Sequence, residues 1–127
     1  MEANVRWESG LTFQVDQEGH RYHIDVPAGE GAPTKGPRPK GLLLAGLGGC
    51  TAIDVVSILE KMRVQLDGLE VQVSAEAREE HPKIFIGIHV RYVFRGRNLP
   101  LDKLDRAVKL SEETYCVVSA MLRPAVP

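Results

Sequence analysis

The sequence predicts an α+β fold in which antiparallel strands carry two central buried helices. Three observations lead there. Apolar and polar residues alternate with a period of two at His20–Val26, Leu69–Ala77 and Ile84–Phe94. An almost unbroken apolar run opens at Leu42, and apolar residues follow helical spacing from Leu101 to Leu122. Strands paired as hairpins, with helices packed on one face, is the two-layer solution that such a pattern favours.

Taken in order, Val5–Trp7 and Leu11–Val15 are short extended segments, and Asp16–Gly19 is a turn. In His20–Val26, Tyr22, Ile24 and Val26 alternate with Arg21, His23 and Asp25, completing a first hairpin. The stretch 27–41, PAGEGAPTKGPRPKG, is too rich in proline and glycine for regular structure and is read as a long loop. Leu42–Arg63, LLLAGLGGCTAIDVVSILEKMR, is apolar on nearly every side through its first two-thirds, which predicts a helix buried all round. Lys61 and Arg63 suit its C-terminal dipole. Gly46, Gly48 and Gly49 each cost such a helix about 1 kcal/mol, so a close neighbour is expected there.

A second hairpin follows. Leu69, Val71, Val73, Ala75 and Ala77 point one way; across a turn at Glu79–Lys83, Ile84, Ile86, Ile88, Val90 and Tyr92 are expected to join them, leaving the other face solvated. Pro100 then opens the second helical segment, with Asp102 at its positive end and a break near Ser111, where Ser-Glu-Glu resembles a new helix start. The whole is read as one domain, 1–127, and a chain of this length needs no disulfide or metal staple to fold.

Composition narrows the function. There are 16 Lys+Arg against 17 Asp+Glu, a formal net charge of −1, and aromatic residues are 6%. Neither a polyanion-binding surface nor stacking platforms for bases follow, so no nucleic-acid partner is expected. The N-terminus lacks the basic-then-apolar pattern of a secretory signal, and the run Leu42–Val56, broken by Gly46, Gly48, Gly49 and Asp54, reads as too short to span a bilayer. A cytoplasmic protein with no membrane partner is the expectation.

The chain has two cysteines, Cys50 and Cys116. In a reducing compartment, two thiols are either small buried hydrophobes or redox groups. Both lie in apolar helical stretches, and Cys50 directly follows Gly48-Gly49. Other chemistry is sparse. His20 and His23 would fall on opposite faces of a strand, which opposes joint ligation, and no metal or other cofactor is expected. Gly46-x-Gly48-Gly49 sits inside a helical run and does not open a dinucleotide-binding βαβ unit. Asp54, one turn beyond Cys50, would raise a thiol pKa if it faced the sulfur, and is expected to point elsewhere.

Three segments carry a family resemblance: Leu42–Arg63 around Cys50, AREEHPKIFIGIHVRYVFRGRNL across the second hairpin, and LSEETYCVVSAML around Cys116. From about Trp7 to Leu122 the chain resembles the osmotically inducible protein C / organic hydroperoxide resistance (OsmC/Ohr) family, most closely its OsmC-like subgroup. The resemblance implies an OsmC-like fold, an intertwined homodimer with both helices central, and a thiol-dependent peroxidase. It further implies that Cys50 is the peroxidatic thiol and Cys116 the resolving thiol, with a small-molecule organic hydroperoxide as substrate and an external dithiol as reductant.

Such a thiol gains from a nearby cation. At a pKa of about 8.5 only ~3% is ionised at pH 7, and a drop of ~2 units gives ~75%. Family members hold an arginine with a glutamate for this purpose. Here the matching stretch Pro39-Lys40-Gly41 has no carboxylate, and the stretch near Glu8–Thr12 has no arginine. Arg6, Arg21 and Lys40 are the alternative cations, each of which could instead be a solvated surface residue. Two other functions share these residues: a non-catalytic OsmC-like dimer that binds a small apolar ligand, and a thiol-based redox sensor.

Overall fold

The computed structural model describes residues 1–126, and the chain divides into two compact units, residues 1–43 and 44–127. In the first, β1 (Ala3–Ser9), β2 (Thr12–Gln17) and β3 (His20–Ile24) form an antiparallel sheet in that order. Glu18 and Gly19 both take positive φ (49° and 79°), the two-residue turn whose twist matches paired strands. The expected hairpin is therefore the inner part of a three-stranded meander: β1 starts before Val5 and pairs along its length with β2. Asp25 is a correction. The alternation placed it outward, but β3 ends at Ile24 and Asp25 is buried. Its carboxylate accepts the Val26 and Lys35 amides (2.8 and 3.0 Å), and its own amide donates to the Pro37 carbonyl (3.0 Å), so it pins the 27–41 loop. The Lys35 amide, above all, holds the Asp25 carboxyl below the usual range.

The second unit is built around α1 (Gly41–Lys61). Leu47, Thr51, Val55 and Leu59, spaced by four, form its buried stripe together with Gly48. Val55 and Leu59 cluster with Leu104 and Ala107 of α2 (Leu101–Leu110), and Leu69, Tyr92 and Phe94 pack against that cluster. Burial of each large aliphatic side chain contributes about 1.5–3 kcal/mol. Leu69 belongs to β4 (Gly68–Ala77) and the two aromatics to β5 (Phe85–Arg95), which pair antiparallel. A Cβ at Gly48 would lie 3.0 Å from the Val73 side chain, so this glycine lets the helix lie close on β4, whereas Gly46 and Gly49 face open space.

Two expectations about α1 change. Within a single chain it is not buried all round: Gly46, Gly49, Ile53 and Val56, on the side away from the core stripe, are exposed, and Ile53 is 72% accessible. One layer of strands and one further helix can cover only one side of it. Nor is it short. Its 21 residues are long and apolar enough, by length and composition, to cross a membrane, because the helix runs straight through the glycines and Asp54.

The alternation in β4 holds as expected from Leu69 to Glu76, but Ala77, expected on the covered face, is exposed. In β5 it holds from Ile88 to Tyr92 but not before, because Ala77 pairs with Phe85 while Glu76 pairs with Gly87. Ile86 is the extra residue of a β-bulge, which puts Phe85 in phase with the covered face and leaves Ile84 and Ile86 exposed. The second helical segment is also divided. After α2 the chain makes a π-helical turn, Ser111–Tyr115, closed by the Cys116 amide on the Ser111 carbonyl (2.7 Å). Cys116 is extended (φ −71°, ψ 104°) and caps α3 (Val117–Leu122). The α-helix thus breaks at Ser111 as expected, the next helix starts only after Cys116, and Cys116 lies between helices rather than within one.

Candidate functional site

Cys50 and Asp54 lie one turn apart on the flank of α1, so their side chains share a face. Cys116 reaches the same place from the cap of α3, and its sulfur accepts the Ser119 amide at 3.4 Å. The two sulfurs and a carboxylate oxygen of Asp54 all lie within 4.8 Å of one another, although the cysteines are 66 residues apart in sequence. Both thiols are free. Asp54 therefore does not point away from the thiols as expected, although it also makes a structural hydrogen bond.

That bond begins a chain of hydroxyls. Ser111 Oγ donates to Asp54 Oδ2 at 3.0 Å, Thr51 Oγ1 lies 2.8 Å from Ser111 Oγ, and Tyr92 OH lies 2.7 Å from Thr51 Oγ1. Each hydroxyl has one proton. Because Ser111 gives its proton to the carboxylate, Thr51 must donate to Ser111 and Tyr92 to Thr51. Thr51 and Ser111 are 2% and 0% exposed, so the chain satisfies buried polar groups and fixes the Asp54 carboxylate beside the sulfurs. Burial pushes the Tyr92 hydroxyl pKa up, which keeps it a donor.

The thiols differ. Cys116 is 3% exposed and Cys50 half-buried. Burial pushes the Cys116 pKa up, the Ser119 amide opposes this, and the neighbouring Cys50 and Asp54 raise it further. Iodoacetamide at neutral pH should therefore label Cys50 first, read by mass spectrometry of the separated peptides; equal rates would mean that both sulfurs are equally presented. A cavity of about 290 Å³ opens on the Cys116 side, with Leu47, Ile88, Val90 and Leu122 as apolar walls. Arg123 also lines it, donating to the Glu112 carbonyl (3.0 Å) and Ser119 Oγ (3.2 Å).

Of the predicted cations, Arg6 and Arg21 both pair with Asp16 at 2.8 Å, and hydrogen bonding from Arg21, above all, holds the Asp16 carboxyl below its ordinary range. Lys40 sits in the turn that leads into α1, its carbonyl accepting the Leu43 amide at 3.2 Å. Sequence reasoning missed Thr51, Tyr92, Ser111 and Arg123. Thr51 adjoins Cys50 on the buried stripe, the one local signal of the four; Arg123 looks like an ordinary cation at a helix end.

A model of the OsmC-like protein family matches residues 29–127. Protein YhfA of Escherichia coli K12 is 42% identical over 127 residues, covering 99% of this chain and 92% of that protein. A hypothetical protein from Aquifex aeolicus VF5 has a solved structure that superposes with a TM-score of 0.87 at 33% identity, over 98% of this chain and 88% of its own. The organic hydroperoxide resistance protein OhrB of Bacillus subtilis superposes at 0.65 with 23% identity, over 99% of this chain and 93% of its own, a likeness of fold. Because the family match takes in both cysteine-bearing segments and the hairpin between them, the chain belongs to the OsmC-like protein family.

Proposed function

We propose that the protein is a thiol-dependent peroxidase that reduces organic hydroperoxides, with Cys50 as the attacking thiol and Cys116 as the resolving one. The observation that carries this is the convergence of the only two sulfhydryls within 4.8 Å, one half-exposed and one buried beside an apolar-walled cavity. The Cys50 thiolate attacks the peroxide O–O bond; the departing alkoxide takes a proton and leaves as the alcohol, and sulfur becomes a sulfenic acid. The Cys116 thiol then displaces water from that sulfur to give a disulfide. An external dithiol reopens the disulfide by exchange and is itself oxidised.

The same reading makes the chain one functional domain working as a homodimer in the cytoplasm, where thiols are kept reduced. A family match that crosses the boundary between the units, from residue 29 to residue 127, supports the single domain. The exposed apolar side of α1 supports the dimer, since Cys50 stands at its edge and a second copy would wall the site. The cavity's aliphatic walls favour an alkyl hydroperoxide over hydrogen peroxide.

The test is steady-state consumption of cumene hydroperoxide with excess dithiothreitol. Many turnovers per chain, faster than with hydrogen peroxide, are expected. A single turnover would identify a redox sensor, and unchanged thiols would leave the non-catalytic dimer.

A further inference from the structure

We infer that Cys50, Asp54 and Cys116 form a zinc(II) site in the reduced protein, distinct in chemistry from any reaction with peroxide. The three donor atoms lie within 4.8 Å of one another. Zinc bound at about 2.3 Å to sulfur and about 2.0–2.2 Å to oxygen places tetrahedral donors about 3.5–3.8 Å apart. Small side-chain rotations close that difference. Two sulfurs select a thiophilic cation over magnesium or calcium, and the carboxylate completes a set of the kind zinc takes.

The surroundings support the assignment. Cys50 and Asp54, at positions i and i+4 of α1, present ligands from one rigid face, as paired ligands on a helix do. The Tyr92–Thr51–Ser111 hydroxyl chain ends on Asp54 Oδ2, leaving Oδ1 for the metal. Ligating carboxylates in metal sites are held by outer hydrogen bonds of this kind. Ionised together, two thiols and a carboxylate would gather three negative charges in a half-buried place, and a dication offsets two of them. Binding takes up Zn²⁺ and releases the two thiol protons; no electron moves. A water molecule takes the fourth position, so the ion is exchangeable and shields both sulfurs while bound.

The experiment uses full-length, reduced, metal-stripped protein and reads binding directly, with no peroxide present, so it can fail while peroxide turnover stands, and the reverse. Zinc is titrated against a chromophoric chelator, and cobalt(II) serves as a spectroscopic probe. One zinc per chain is expected, together with a thiolate-to-cobalt charge-transfer band. Cys50→Ser and Cys116→Ser should each weaken binding by at least ~10-fold and lose much of that band. Ser111→Ala, which releases the outer hydrogen bond, should weaken binding by ~10-fold. Should a cysteine variant fail to fold, loss of the cobalt band on alkylating the wild-type thiols decides in its place. Failure of the reduced protein to take zinc from the chelator would overturn the site. So would equal affinity in both cysteine variants, which would place the metal on surface histidines.

Discussion

Replacing Cys50 with serine should abolish alkyl hydroperoxide reduction, lowering kcat/KM by ~10³-fold or more, because a serine hydroxyl supplies no thiolate. Cys116→Ser should behave differently. Its Cys50 still reacts once, and the sulfenic acid, with no neighbouring thiol to condense with, should be trapped by dimedone and pass to sulfinic acid under excess peroxide. Wild-type protein given one equivalent of peroxide should instead lose two thiols per chain and yield a Cys50–Cys116 linked peptide that dithiol reverses. The sulfurs, within 4.8 Å, need to approach to about 2.05 Å. Cys116 lies at a cap between two short helical pieces, where the backbone has no continuous helical ladder to break. Turnover that survives in Cys50→Ser would sink the thiol mechanism. Dimedone labelling of Cys116 in that variant, as fast as of Cys50 in the reciprocal one, would reverse the roles.

What the sequence discloses and what it hides divide along a physical line. The alternation of Leu69–Ala75 is local, and β4 follows it residue by residue; it fails at Ala77, beside the bulge. The bulge at Ile86 is not local: it is defined by pairing with Glu76 and Ala77 across the hairpin, so the string IFIGI reads as plain alternation when it is not. Helix α1 was legible from apolar density, yet density cannot tell a helix covered on all sides from one covered on one side within its own chain. Cys116 illustrates a third limit. Tyr115, Val118 and Leu122 around it keep helical spacing, and only the π-helical turn, with its extra residue per turn, reveals where the helix gives way.

The site shows the same division. The two cysteines stood out because the chain has only two, and Cys50 because of the glycines before it. Asp54 was visible but misdirected, since the partner that orients it, Ser111, is 57 residues away. Thr51 and Tyr92, 41 residues apart, are hydroxyls that sequence alone treats as ordinary strand and helix residues. A search for metal ligands by histidine spacing could not find a trio whose third member comes from another element.

The exposed side of α1 leads to the last expected result. Ile53 is 72% exposed and lies among Gly46, Gly49 and Val56, opposite the stripe that Val55 and Leu59 bury. An apolar helical strip of small and branched residues allows close approach of a second helix and leaves apolar area in water if none arrives. Wild-type protein at micromolar concentration should therefore scatter light as a particle of twice 14.0 kDa. Ile53→Asp should convert it to the 14.0 kDa monomer. An unpaired charge buried at the contact costs about 3–5 kcal/mol. A two-fold interface contains the substitution twice. The dimer dissociation constant should thus rise at least ~100-fold, and ~10⁴-fold or more if both charges stay buried. Ile53→Val, which keeps the apolar surface, should leave the dimer intact. If the dimer walls the site, peroxide turnover should fall in Ile53→Asp and persist in Ile53→Val. A wild-type monomer would remove the dimer from this reading, and an Ile53→Asp protein that remains dimeric would move the interface to another face.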